Sequence, residues 1–167
     1  MPDSDGINFF KHMNFDEKGW KMDTREKAAD YFKRGFNCSQ AVFTAFGPSL
    51  GVDEKTALKI GFPFGAGMAR MQKTCGAVTG AFMAIGLKYG MCAEGDNVSR
   101  ERTYRLVREF TKQFEALHGS IECRALLGAD MNTEEGQKII QSKELFKTLC
   151  LQLVKDATEI TDKLLSE

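Results

Sequence analysis

Histidine is nearly missing from this chain: His12 and His118 are the only two in 167 residues. That scarcity argues against a mixed Cys/His zinc site and leaves no material for a Ser-His-Asp triad. Nor do Asp96, Glu101 and Glu109 form an evident acid/base pair. No Cys-x-x-Cys pair occurs, which removes the thioredoxin-type motif and the standard zinc knuckle. Neither sign of charge is in excess, with 23 basic and 23 acidic side chains. A neutral chain without a dense Lys/Arg block gives no reason to expect nucleic acid or an anionic membrane as partner. No apolar run reaches the roughly 18 residues that span a bilayer. The opening stretch, MPDSDGINFFKHMNFDEKGW, lacks the basic and apolar regions of a secretory signal, so the expected location is cytoplasmic.

What the chain does have is helix punctuation. The first 22 residues read as a polar arm carrying Phe9, Phe10, Phe15 and Trp20. Such an arm is apolar enough to pack either on the body of its own subunit or on a neighbouring one, and a homodimer is the expected assembly. From Asp23 onward one capping signature follows another. DTRE places Asp23 at an N-cap and Glu26 at N3, and NCSQ repeats the pattern with Asn37 and Gln40. The second of these helices stops at Gly47-Pro48. Asp53 caps a short helix to Ile60, and GFPFGAGMARMQK, with its three glycines and one proline, is a loop. That loop lacks the spacing and the preceding strand of a phosphate cradle.

Thr74 is then expected to cap a helix ending at Tyr89-Gly90, and residues 96–99 to open a long helix closed by Gly119. Val107, Phe110, Phe114 and Leu117 mark its apolar stripe. Ser120 is read as the cap of SIECRALLG, and ADMNTEEGQK as a polar connector. The last helix runs from about Ser142 to Leu165, with Phe146, Cys150, Leu153, Ala157, Ile160 and Leu164 on one face. With no strand-period alternation, the expected fold is all-α: one bundle-like domain over 23–167, with about six or seven helices.

Against this frame the five cysteines take distinct places. Cys38 follows the cap Asn37, Cys75 follows Thr74, and Cys123 is three residues beyond Ser120. All three are thus expected in the first turn of a helix, where free N–H groups and the dipole favour an anion. Thiolate is the nucleophilic and metal-binding form. Gly76 leaves the backbone beside Cys75 open to a partner sulfur, a metal or a substrate, while Arg70 and Lys73 lie upstream and Arg124 follows Cys123. Cys150 belongs to the apolar face of the last helix, and Cys92, in GMCAEGD, reads as a loop thiol. Any one of these could be a small core hydrophobe; three at helix starts suggest a functional cluster.

FNCSQAV, CGAVTGA and SIECRALLG, followed by a late cysteine before LVKDATEI, resemble the C-GCAxxG-C-C family of small proteins described as redox-active. The likeness covers about residues 24–165. It implies Cys38, Cys75, Cys123 and Cys150 as the four characteristic cysteines, with Cys75, Gly76, Ala77 and Gly80 as the motif, and gives Cys92 no role. More distantly the chain resembles the non-haem part of split-Soret cytochromes, which carry haem and an iron–sulfur centre; Cys-x-x-Cys-His is missing here, so covalent haem is not expected. Three functions stay open at this level. The cysteines could exchange disulfides or electrons with a redox partner. All four thiolates could instead close one metal site around zinc or an iron–sulfur cluster. Or they could be structural thiols in a helical binding module.

Overall fold

The computed structural model describes residues 23–167. The expected aromatic arm, residues 1–22, lies outside the described residues. The fold is all-α, with eight helices and no strand among the described residues. In chain order they are α1 (Thr24–Lys33), α2 (Cys38–Phe46), α3 (Glu54–Gly61), α4 (Gly76–Tyr89), α5 (Asn97–His118), α6 (Cys123–Leu127), α7 (Glu134–Ser142) and α8 (Leu151–Leu165). Among the described residues no helix is long and apolar enough to cross a membrane.

The helix starts follow from their caps. Asp23, Asn37, Asp53 and Asp96 each accept a hydrogen bond from a backbone N–H three residues on, at 2.7–3.0 Å. Asn37 closes a full capping box, because its own N–H donates to Gln40 Oε1 at 3.1 Å. Each such cap contributes about 1 kcal/mol.

Helix α2 is the hub. Its sequence, CSQAVFTAF, carries no charge, and every residue from Ser39 to Phe46 is buried. It packs on α1, α3, α4 and α8. A helix that is apolar nearly all round can only sit in the middle. Helix α5 is the opposite case, amphipathic and turned inward through Leu106, Phe110 and Phe114. Phe110 and Phe114 are fully buried, their rings stacked with centroids 5.7 Å apart. Each ring removed from water is worth about 1.5–3 kcal/mol. The expected stripe is shifted here: Leu117 is exposed, and Leu106 takes the inward place.

The approach of α4 to α2 runs over the motif glycines. Gly76 and Gly80, four residues apart, share one face of α4. A Cβ on Gly80 would stand 2.9 Å from both Ser39 O and Val42 Cβ. One on Gly76 would meet Ser39 N at 3.0 Å and Cys38 Cβ at 3.1 Å. The C-G-A-x-x-G spacing is therefore a helix-contact device, and it draws Cys38 against the start of α4.

The glycine loop forms an unusual turn. Ala66, Gly67, Met68, Ala69 and Arg70 all have φ between 51° and 66°, one turn of left-handed helix. Left-handed backbone costs about 1–2 kcal/mol per non-glycine residue, so neighbours must hold it. Lys73 N donates to Gly67 O at 2.9 Å, and Asn132 Nδ2 donates to Arg70 O at 3.1 Å. Buried Gln72 donates to Ala129 O and accepts from Met131 N, each at 2.9 Å. At Gly67 a side chain would also collide with Cys123 Cβ, 2.7 Å from an added Cβ.

Three local expectations are corrected. Residues 129–138 are not merely a connector: Thr133 Oγ1 accepts from Gly136 N and starts α7. Thr74 is not a cap; it forms an isolated antiparallel bridge with Glu122, and Cys75 occupies the N-cap position of α4. Nor does Ser120 cap α6, whose N-cap is Glu122; Ser120 Oγ accepts from Glu122 N instead. The last helix is also preceded by a π turn, Phe146–Cys150. Its wider winding rotates Phe146 off the buried face, leaving it 49% exposed.

Candidate functional site

The Thr74–Glu122 bridge sets the geometry of two thiols. Cys75 N donates to Ile121 O at 2.8 Å, and Cys123 N donates to Lys73 O at 2.7 Å. Side chains alternate across a strand pair, so Cys75 and Cys123 project to the face opposite Thr74 and Glu122. The bridge thus aligns the starts of α4 and α6 side by side, with both thiols directed inward. Cys75 is 3% exposed and Cys123 7%.

The other two thiols arrive from α2 and α8. Cys38 is the first residue of α2, and Cys150 ends the π turn at the start of α8. Cys38 and Cys150 lie close enough to perturb each other's ionisation. Cys38, Cys75, Cys123 and Cys150 all line one cavity of about 640 Å³. The rest of its wall is largely carbon, including Phe32, Phe36, Leu126, Leu127, Met131 and Leu153. Cys38 lies deep in the protein and is partly accessible because it faces this space.

Gly76 lines the same cavity, so its missing side chain both admits Cys38 and leaves room beside Cys75. Arg70 does not line it; exposed on the left-handed turn, it offers its carbonyl to Asn132. Arg124 turns away to pair with Asp130 at 3.0 Å. Cys92 is exposed in the loop after α4 and stands apart.

Burial, rather than helix-end charge, governs most of the thiols. It pushes Cys75 up to about 11, although the N–H groups of Ala77 and Val78 pull the other way. It pushes Cys123 up to about 12, with the fields of Cys75, Cys150 and Glu122 adding to it. Cys38 is raised well above an ordinary thiol, first because its proton is held by Cys150, then by burial and by the other three cysteines. Cys150 alone is lowered, because the Cys38 S–H stabilises its thiolate against the cost of burial. Cys38 and Cys150 therefore titrate as a pair rather than as two independent thiols. The approach of Cys150 to Cys38 depends on a long-range packing that no local motif announces.

Between pH 6 and 9, iodoacetamide should label Cys150 ahead of Cys75 and Cys123, as peptide mass mapping would show. At pH 8 a thiol with a pKa of about 11 is ionised only about one part in a thousand, so Cys75 should gain reactivity through pH 10. Equal labelling of Cys75 and Cys150 at pH 7 would contradict this order.

The zinc and iron–sulfur alternative needs three or more donors around one point. Among the described residues no group of three or more His, Cys, Asp or Glu side chains is arranged to hold a metal ion.

One comparison with known proteins gives a match. The model of a protein family described as "Putative redox-active protein (C_GCAxxG_C_C)" matches residues 36–164. No curated protein and no solved structure matches the chain.

Proposed function

The chain belongs to the C_GCAxxG_C_C family, and on that premise we propose that it is a dithiol–disulfide redox protein in which Cys38 and Cys150 form the working pair. The observation that carries this is the convergence of all four family cysteines on one cavity, where Cys38 and Cys150 are close enough to perturb each other's ionisation. In the reduced state the Cys38 S–H holds Cys150 as the readier thiolate, and the thiolate is the nucleophile in exchange. Oxidation breaks the two S–H bonds, forms one S–S bond, and delivers two electrons and two protons to a two-electron acceptor. Cys75 and Cys123, kept protonated by burial, supply a second dithiol. Attack of Cys75 on the Cys38 sulfur releases Cys150 as thiolate. Attack of Cys123 on Cys75 then releases Cys38 and leaves the disulfide at Cys75–Cys123, with no net change in electrons.

The test is equilibration of the full chain in graded mixtures of reduced and oxidised dithiothreitol, with free thiols counted after acid quench. The expected result is reversible loss of two thiols per chain in a single two-electron transition, with Cys92 untouched throughout. Five thiols that remain free across the whole range would overturn the proposal.

A further inference from the structure

The shape and chemistry of the cavity say what can reach the pair. Its rim is exposed, formed by Lys33 and Gly35 at the end of α1 and by Phe146 and Lys147 on the π turn. Its floor holds the thiols, with Cys150 only 6% exposed. A disulfide on the surface of a folded protein cannot descend past that rim to a buried sulfur. A small molecule can, and about 640 Å³ lies within the range of pockets that enclose one, roughly 300–1,000 Å³.

The polar inventory narrows the class further. The amide of Asn37, which also lines the cavity, is already used: Oδ1 accepts from Gln40 N, and Nδ2 donates to Phe62 O. Lys147 is paired with Glu144 at 2.7 Å. That leaves Lys33, on the rim, with no carboxylate partner among the described residues. A peptide or glutathione disulfide would bring amides and carboxylates into a wall that offers them few partners, and unpaired buried polar groups are costly. Phe32, Phe36 and Phe146 instead line the cavity, and aromatic side chains are apt neighbours for a planar π system.

We propose that this cavity binds a small, planar, apolar two-electron acceptor of the quinone class, which is reduced by the Cys38–Cys150 dithiol. The inference rests on the dithiol reading given above. The step balances. Cys150 thiolate adds to a quinone carbon, and Cys38 sulfur then attacks Cys150 Sγ, forming the S–S bond and breaking the C–S bond. The released electron pair goes to the ring, and the two thiol protons end on its two oxygens as quinol.

Duroquinone is the probe, because with a methyl on every ring C=C carbon the sulfur adduct has no hydrogen to lose and cannot rearomatise to a stable thioether, so it reverts or is resolved by Cys38. Pre-reduced full-length protein is mixed without oxygen with duroquinone, glutathione disulfide, cumene hydroperoxide or diamide at equal concentration. Cys38–Cys150 disulfide is followed by mass mapping and quinol by absorbance. The expected result is one quinol per disulfide, a rate that saturates with duroquinone, and oxidation at least about tenfold faster than by glutathione disulfide, in line with the discrimination an apolar pocket achieves. Leu126→Trp, which fills the cavity, should raise the half-saturating concentration; wild-type saturation decides the matter should that variant not fold. If diamide forms the disulfide but duroquinone acts without saturation, or no faster than glutathione disulfide, the quinone site is wrong and the dithiol reading stands. Fastest oxidation by cumene hydroperoxide would likewise overturn it. If diamide itself yields no Cys38–Cys150 bond, the dithiol reading falls and the quinone site with it.

Discussion

Gly80→Ala is expected to destabilise the protein by about 1–3 kcal/mol, the range for overpacking a close contact. Gly86→Ala, six residues along the same helix, is expected to stabilise it by about 0.5–1 kcal/mol. The sign changes because the surroundings do. An added Cβ at Gly80 stands 2.9 Å from Ser39 O and Val42 Cβ, whereas one at Gly86 meets nothing within 4 Å. The backbone of α2 cannot yield by rotating a side chain, so α4 and α2 must separate. Separation also draws Cys38 away from the start of α4, which Gly76 brings close. Gly80→Ala should therefore show lower stability in urea together with slower formation of disulfide at Cys38. Equal effects of the two substitutions on the urea midpoint would refute the helix-contact account of the motif.

Cys150→Ser should reduce the rate of Cys38 oxidation by at least about a hundredfold, since it removes the low-pKa thiolate on which attack depends. Cys38→Ser leaves Cys150 able to be alkylated but without a resolving sulfur, and without the S–H that lowers its pKa. Its labelling should then shift to higher pH. The sign is fixed by the proton: a donor to the thiolate stabilises the charged form, so loss of that donor raises the pKa. Cys92→Ser should leave both readouts unchanged, because Cys92 is exposed and lies away from the cavity. Oxidation of Cys150→Ser at the wild-type rate would place the working thiol elsewhere.

The parts of the fold legible in the sequence are those written locally. Asp23, Asn37, Asp53 and Asp96 announce helix starts because a short oxygen-bearing side chain satisfies a free N–H wherever the helix goes afterwards. The uncharged run of α2 likewise reveals a buried helix. Helix α7 is harder to see, since only Gly136 and Ile140 of it are buried and Glu134, Glu135, Gln137 and Lys138 give it the look of a loop. The left-handed turn is beyond local reading: Ala66, Met68, Ala69 and Arg70 are not residues that favour positive φ, and tertiary hydrogen bonds from Lys73 and Asn132 hold them there. At the site, the helix start is legible for Cys38, and the expected positions of Cys75 and Cys123 miss by one or two residues. Their acidity is not legible, because depth below the surface outweighs the helix end and depth is a property of the whole packing. The same holds for Cys150, whose π turn depends on how the chain leaves α7.

The most direct measurement is the identity of the first disulfide. Pre-reduced protein is treated with one equivalent of diamide, quenched in acid, alkylated, digested at low pH to prevent exchange, and mapped by tandem mass spectrometry. The account predicts that the earliest product links Cys38 to Cys150, with Cys92 free and Cys75 and Cys123 joined only at later times by exchange. A first bond between Cys75 and Cys123, a dimer linked through Cys92, or five free thiols would contradict it.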